Sequence, residues 1–150
     1  MSDRRSEGAV HLHAVIIDDD DGVRRMLVRF LEKRGWKVSS FRDPSQFSCT
    51  ALKGESCKEA ARCCDVIISD KNMPKVSGMD FFRSLQGKKC KCKNIAMLSG
   101  FWTQGELAQV RAWGYETIEK PFKITALEAW LENAERESRA DSHDIRKDKE

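Results

Sequence analysis

Val66-Ile67-Ile68 is an unbroken β-branched run, preceded by Asp65 and followed by Ser69-Asp70, with Pro74 a short step beyond. A run of this kind marks a strand buried on both faces of a parallel sheet. Pro74 supplies no donor to a continuing ladder and biases Met73 away from helix, so the chain must turn there. The strand therefore delivers one carboxylate, Asp70, to its carboxyl end, where open α/β sheets bind ligands. Asp70 is then a nucleophile, a metal ligand or a turn residue. The rest of the chain decides among them.

Leu12 to Ile17 has the same buried character and ends on four consecutive aspartates, Asp18 to Asp21. Val23, Met26, Leu27, Phe30 and Leu31 then recur at helical spacing, with Asp20 or Asp21 as cap and Gly35 as stop. Trp36 to Phe41 reads as a second strand. Asp43-Pro44 opens a helix, and Glu55 to Arg62 reads as added helical material. Ser77-Gly78 leads into a helix with Met79, Phe82 and Leu85 inward. Ile95 to Leu98 is a fourth strand, ending at Ser99. Thr103 and Glu106 have capping-box spacing at the head of the next helix. Tyr115 to Glu119 forms a fifth strand before Lys120-Pro121, and Ile124, Leu127, Leu131 and Ala134 line the last helix.

This β-α alternation predicts an α/β, doubly wound, five-stranded parallel sheet with helices on both faces. A length of 150 residues suits one domain. Residues 1–11 are expected as a flexible N-terminal arm, 12–134 as the folded domain, and 135–150 as a charged C-terminal tail. A net charge of +3 is too weak to argue for nucleic acid, and no apolar run approaches a membrane span. The polar N-terminus carries no signal-peptide core, so a cytoplasmic location and free thiols at the six cysteines are expected. Cys57, Cys63, Cys64, Cys90 and Cys92 lack zinc-knuckle spacing.

In such a sheet Asp18-Asp19, Asp70, Ser99 and Lys120 all fall at one edge. Converging carboxylates repel unless a cation joins them, and an all-oxygen donor set favours a hard ion such as Mg2+. Mg2+ keeps positions for water and phosphate oxygens, while a lysine and a hydroxyl opposite suit a phosphoryl group. That chemistry makes Asp70 a nucleophile forming an aspartyl phosphate.

The set resembles a response-regulator receiver domain of two-component phosphorelay systems, of the single-domain, chemotaxis-regulator-like kind. The residues that carry the resemblance are Asp18-Asp19 after Val15-Ile16-Ile17, Asp70-Lys71-Asn72-Met73-Pro74 with Gly78, Ser99 after Ile95-Ala96-Met97-Leu98, and Lys120-Pro121-Phe122. It implies the flavodoxin-like strand order 2-1-3-4-5. It further implies Mg2+ held by Asp18 or Asp19, Asp70 and the Asn72 carbonyl, with Asp70 as phosphoacceptor. Ser99 and Lys120 would hold the phosphoryl group, donated by a histidine kinase or phosphotransfer protein. Two departures stand out. Thr117 occupies the position of the usual aromatic relay three residues before the lysine, with Tyr115 nearby, and Phe41 to Asp65 is longer than receivers need.

After Ala134 the remaining sequence is too short for a DNA-binding module, so, unless the chain is part of a longer regulator, output is expected through contact with another protein, as a monomer or a phosphorylation-dependent dimer. Trp102, Trp113, Tyr115 and Trp130 read either as core packing or as part of that partner surface. A different class of function is a haloacid-dehalogenase-type phosphatase, with Asp19 as nucleophile and Asp21 as acid/base. It leaves Asp70-Lys71-Asn72-Met73-Pro74 unexplained. A third reading is a receiver-like interaction module that is never phosphorylated.

Overall fold

The structure is a computed structural model, and it describes residues 12–44, 64–73, 77–87, 92 and 94–148. Five strands, β1 (His13–Ile17), β2 (Lys37–Phe41), β3 (Val66–Asp70), β4 (Asn94–Ser99) and β5 (Glu116–Glu119), form one sheet. The order is β2-β1-β3-β4-β5 and every neighbouring pair is parallel. The described helices are α1 (Asp21–Lys33), α2 (Gly78–Gly87), α3 (Gln104–Ala112) and α4 (Ile124–Asp148). This is the doubly wound architecture that the alternation implies, in the flavodoxin-like strand order that the resemblance implies. The helix expected after Asp43-Pro44 and the added material at 55–62 lie outside the described residues.

The continuous apolar runs have a simple cause: both sheet faces are covered. Ala14 and Ile16 of β1, Val66 and Ile68 of β3, and Ala96 and Leu98 of β4 pack with Leu27 and Leu31 of α1 and Leu127, Leu131 and Ala134 of α4. Their neighbours Val15, Ile17, Ile67, Ile95 and Met97 meet Phe81, Phe82 and Leu85 of α2 and Val110 of α3. Every residue of β3 is buried, which fits its central place in the sheet.

Local chemistry sets the helix ends. Asp20, not Asp21, caps α1 by accepting from the Val23 N–H, and Gly35 after the helix has φ 91°, a left-handed conformation open to glycine. Thr103 and Glu106 form the complete capping box at α3, which ends before Gly114 at φ 82°. In α2, Phe81 is buried beside Phe82 and Leu85, whereas Met79 is only partly covered. Trp102, Trp113 and Tyr115 are half-buried against the α2/α3 core and Trp130 against the other, so packing accounts for much of each ring. Among the described residues, the large apolar side chain most open to solvent is Phe101, 68% exposed, which the periodicity does not single out. Cys64 and Cys92 are both buried. Among the described residues no helix is long and apolar enough to cross a membrane.

Helix α4 continues past Ala134 to Asp148. Glu135 takes the Arg34 guanidinium through two bonds of 3.2 Å and the Trp36 indole N–H at 2.9 Å. Trp36 is 4% exposed, so losing this acceptor strands a buried donor, at about 1–3 kcal/mol. Glu135→Ala is therefore expected to lower unfolding stability by that amount in a denaturant titration. The exposed Glu137→Ala is expected to change it by less than about 0.5 kcal/mol. Equal losses in the two variants would contradict this account of the α1–α4 junction.

Candidate functional site

The parallel register brings the ends of β1, β3, β4 and β5 to one edge. Asp18 directly follows β1, Asp70 ends β3, Ser99 ends β4, and Lys120 directly follows β5. The Lys120 N–H bonds to the Ser99 carbonyl at 2.8 Å, and the Lys71 N–H to the Leu98 carbonyl at 2.8 Å, which ties these ends together. The sequence-predicted residues Asp18, Asp19 and Asp70 do converge: their nearest carboxylate oxygens all lie within 4.8 Å of one another. Asp18 and Asp70 are buried and Asp19 is half-buried.

Lys120 answers the acidic pair. Its Nζ stands 3.1 Å from Asp18 Oδ2 and 3.3 Å from Asp70 Oδ1. Burial works against the charged amine, but Asp18 and Asp70 outweigh it and the Lys120 pKa is raised. Asp70 shifts in the opposite sense to a simply paired carboxylate. Burial first, and then repulsion from Asp18, push its pKa from 3.8 to about 6, against the pull of Lys120 and a hydrogen bond from the Asn72 backbone. Asp18 likewise accepts a backbone N–H, with Oδ1 bonded to that of Asp20 at 2.9 Å. One lysine therefore serves two buried carboxylates, and Asp70 is the less well served.

Ser99 is fully buried, and its hydroxyl donates to the Phe101 carbonyl at 2.8 Å while accepting from the Phe101 N–H at 3.1 Å and from Asn72 Nδ2 at 3.3 Å. Asn72 is thus on the site's rim, exposed, with its side chain engaged by Ser99. Gly78 allows the loop after β3 to close: its N–H bonds to the Lys71 carbonyl at 2.7 Å. A Cβ there would lie 2.6 Å from the Asp70 carbonyl and 2.7 Å from Lys71 Cα, so only glycine fits without moving the backbone that carries Asp70. Asp21, the acid/base of the phosphatase alternative, is paired with Arg24. Its pKa is lowered by that hydrogen bond and charge, the wrong direction for a general acid. Sequence reasoning missed Lys71, which is 5% exposed and pairs with Glu106 at 2.9 Å. Its position beside Asp70 was visible, but nothing in the spacing showed that it turns inward.

A family comparison matches residues 14–132 to the response regulator receiver domain. The chain belongs to that family. Curated relatives of this receiver domain include the C4-dicarboxylate transport transcriptional regulatory protein DctD of Pseudomonas aeruginosa. DctD is 28% identical over 116 residues, covering 75% of this chain and 23% of that protein. Regulatory protein VirG of Agrobacterium fabrum is 31% identical over 86 residues, 57% of this chain and 31% of that protein. The chain thus spans roughly a quarter to a third of the length of these relatives. Among solved structures, the Vibrio cholerae chemotaxis protein CheY4 aligns with TM-score 0.66 and 27% identity over 83% of this chain and 99% of that one. A response regulator receiver protein from Pseudomonas putida aligns with TM-score 0.69 over 83% and 98%, and at 21% identity supports the fold alone. Response regulator receiver domains are phosphoacceptor modules of two-component signalling, and this chain is one of them by family and fold.

A carboxyl whose pKa is raised on folding contributes stability below its unfolded value of 3.8 and loses it as pH rises through about 6. Full ionisation then costs about 3 kcal/mol. In metal-free solution, Asp70→Asn is expected to be more stable than the parent by about 1–3 kcal/mol at neutral pH, the lower bound allowing for lost Lys120 pairing. The difference should fade on acidification toward the unfolded pKa. Unfolding curves at neutral and acid pH check this; a gap that widens on acidification would contradict it.

Proposed function

We propose that this receiver domain is phosphorylated on Asp70 in a Mg2+-dependent reaction with a partner histidine kinase or phosphotransfer protein, and signals through contact with another protein. The observation that carries the reading is the buried Asp70 carboxylate sharing one ammonium, Lys120 Nζ, with Asp18 at the edge where the central strands end. With its pKa near 6 the carboxylate is ionised at neutral pH, which a nucleophile requires.

The donor set suits a hard divalent ion: Asp18, Asp19 and Asp70 offer only oxygens, and the Asn72 carbonyl is the further ligand that the family pattern suggests. Bound there, Mg2+ would offset the charge of the carboxylates and of an incoming phosphoryl group. The chain's own residues do the rest. An Asp70 oxygen attacks phosphorus, the new P–O bond forms as the donor's P–N bond breaks, and that electron pair leaves with the imidazole. Lys120, already 3.3 Å from Asp70, is placed to pair with a phosphoryl oxygen, and Ser99 to donate its hydroxyl proton to another. Each of these contacts requires a local move, because Lys120 now holds the carboxylates and Ser99 now holds the Phe101 carbonyl.

Acetyl phosphate with Mg2+ is expected to add one acid-labile phosphoryl group, seen by intact mass. The group should be absent when the metal is chelated and absent in Asp70→Asn. Labelling that persists in Asp70→Asn would refute the assignment.

A further inference from the structure

Lys71 immediately follows Asp70, yet its side chain leaves the acidic cluster and runs to α3. Its ammonium donates to the Phe101 carbonyl, pairs with Glu106 at 2.9 Å, and lies 5.5 Å and 5.0 Å from the centres of the Phe101 and Trp102 rings. Glu106 is the third residue of α3 and its Oε1 also accepts the Thr103 N–H at 3.0 Å, so the ion pair grips the helix cap itself. The Thr103 backbone bond first, and then Lys71, hold the Glu106 pKa below the usual carboxylate range. The Lys71 main chain is fixed at the other end, by its bonds to Leu98 and Gly78.

The Phe101 carbonyl is the meeting point. It accepts from Ser99 Oγ at 2.8 Å as well as from Lys71. A serine hydroxyl has one proton, so Ser99 cannot donate to this carbonyl and to a phosphoryl oxygen at once. When Ser99 turns to the phosphoryl group, the carbonyl keeps a donor only because Lys71 is there. We propose that Lys71 is a positioning residue that carries the state of the Asp70 site to α3, through the Phe101 carbonyl and Glu106. The inference rests on the phosphoacceptor reading above. It supplies a route from the site to the surface that does not need an aromatic side chain at Thr117. The exposed Phe101 ring, attached to the carbonyl that changes partners, is the group that presents the change to solvent.

A lysine that merely fastened a loop would affect stability without affecting transmission, and backbone amide NMR separates the two. Spectra with and without beryllofluoride and Mg2+ are compared for the parent chain, Lys71→Met and Glu106→Gln. Glutamine serves as well as glutamate in a capping box, so Glu106→Gln removes the charge pair and leaves the helix start intact. In the parent, amides around Asp70 and Ser99 and those of α3 should all shift. In both variants the shifts near Asp70 should remain, while those of α3 are lost in Lys71→Met and reduced at least about twofold in Glu106→Gln. Parent-sized α3 shifts in Glu106→Gln would overturn the inference, even if Lys71→Met does not fold. Absence of any shift near Asp70 in the parent would instead overturn the phosphoacceptor reading beneath it.

Discussion

One ammonium group shared by two buried carboxylates is the interaction on which this structure turns. Asp70 depends on Lys120 to stay charged at its depth, because an unpaired buried charge neutralises instead. The compensation is incomplete, and that incompleteness is chemically useful. Each carboxylate also accepts a backbone amide, yet burial and the repulsion of Asp18 leave Asp70 with a pKa near 6. A divalent cation or a phosphoryl group entering such a site meets charge that is already arranged and only partly satisfied.

The fold exists, in this sense, to hold that imbalance. Parallel register across β1, β3, β4 and β5 puts all the groups at one edge, and the two packed faces make the edge stiff. Gly78 lets the start of α2 press against the Asp70 backbone closely enough that no side chain would fit between. The polar groups behind the site are already committed to one another: Ser99 to Phe101, Asn72 to Ser99, Lys71 to Glu106. Changing one partner therefore changes the next, and a local charge event can travel through bonds that exchange rather than through bulk movement.

Much of this was legible in the chain itself. The apolar runs ending at Asp18, Asp70 and Ser99 announced strands covered on both faces, and parallel pairing then forced their carboxyl ends together. The Thr103/Glu106 box and the glycines at 35 and 114 gave helix ends through chemistry confined to a few residues. What escaped was contact between side chains far apart in sequence. Lys71 stood out only as part of the Asp70-Lys71-Asn72-Met73-Pro74 motif, because a lysine's direction is set by what it can reach, here Glu106 thirty-five positions on. Glu135 read as the start of a charged tail, although it closes a junction with Arg34 and Trp36 about a hundred positions earlier. Periodicity sees the apolar face of a helix and is blind to a single polar side chain that finds a distant partner. For the same reason Phe101 drew no notice, while the tryptophans that did are largely absorbed by packing.

The measurement that reaches the central claim most directly is chemical mapping of the phosphorylated residue. An aspartyl phosphate is an acyl phosphate, and borohydride reduces it to homoserine, a change that survives digestion and can be read in a peptide spectrum. The chain phosphorylated in the presence of Mg2+ and then reduced should carry homoserine at position 70 and nowhere else. Homoserine at position 19 with none at 70, or a stable phosphate on a serine or threonine, would contradict the account.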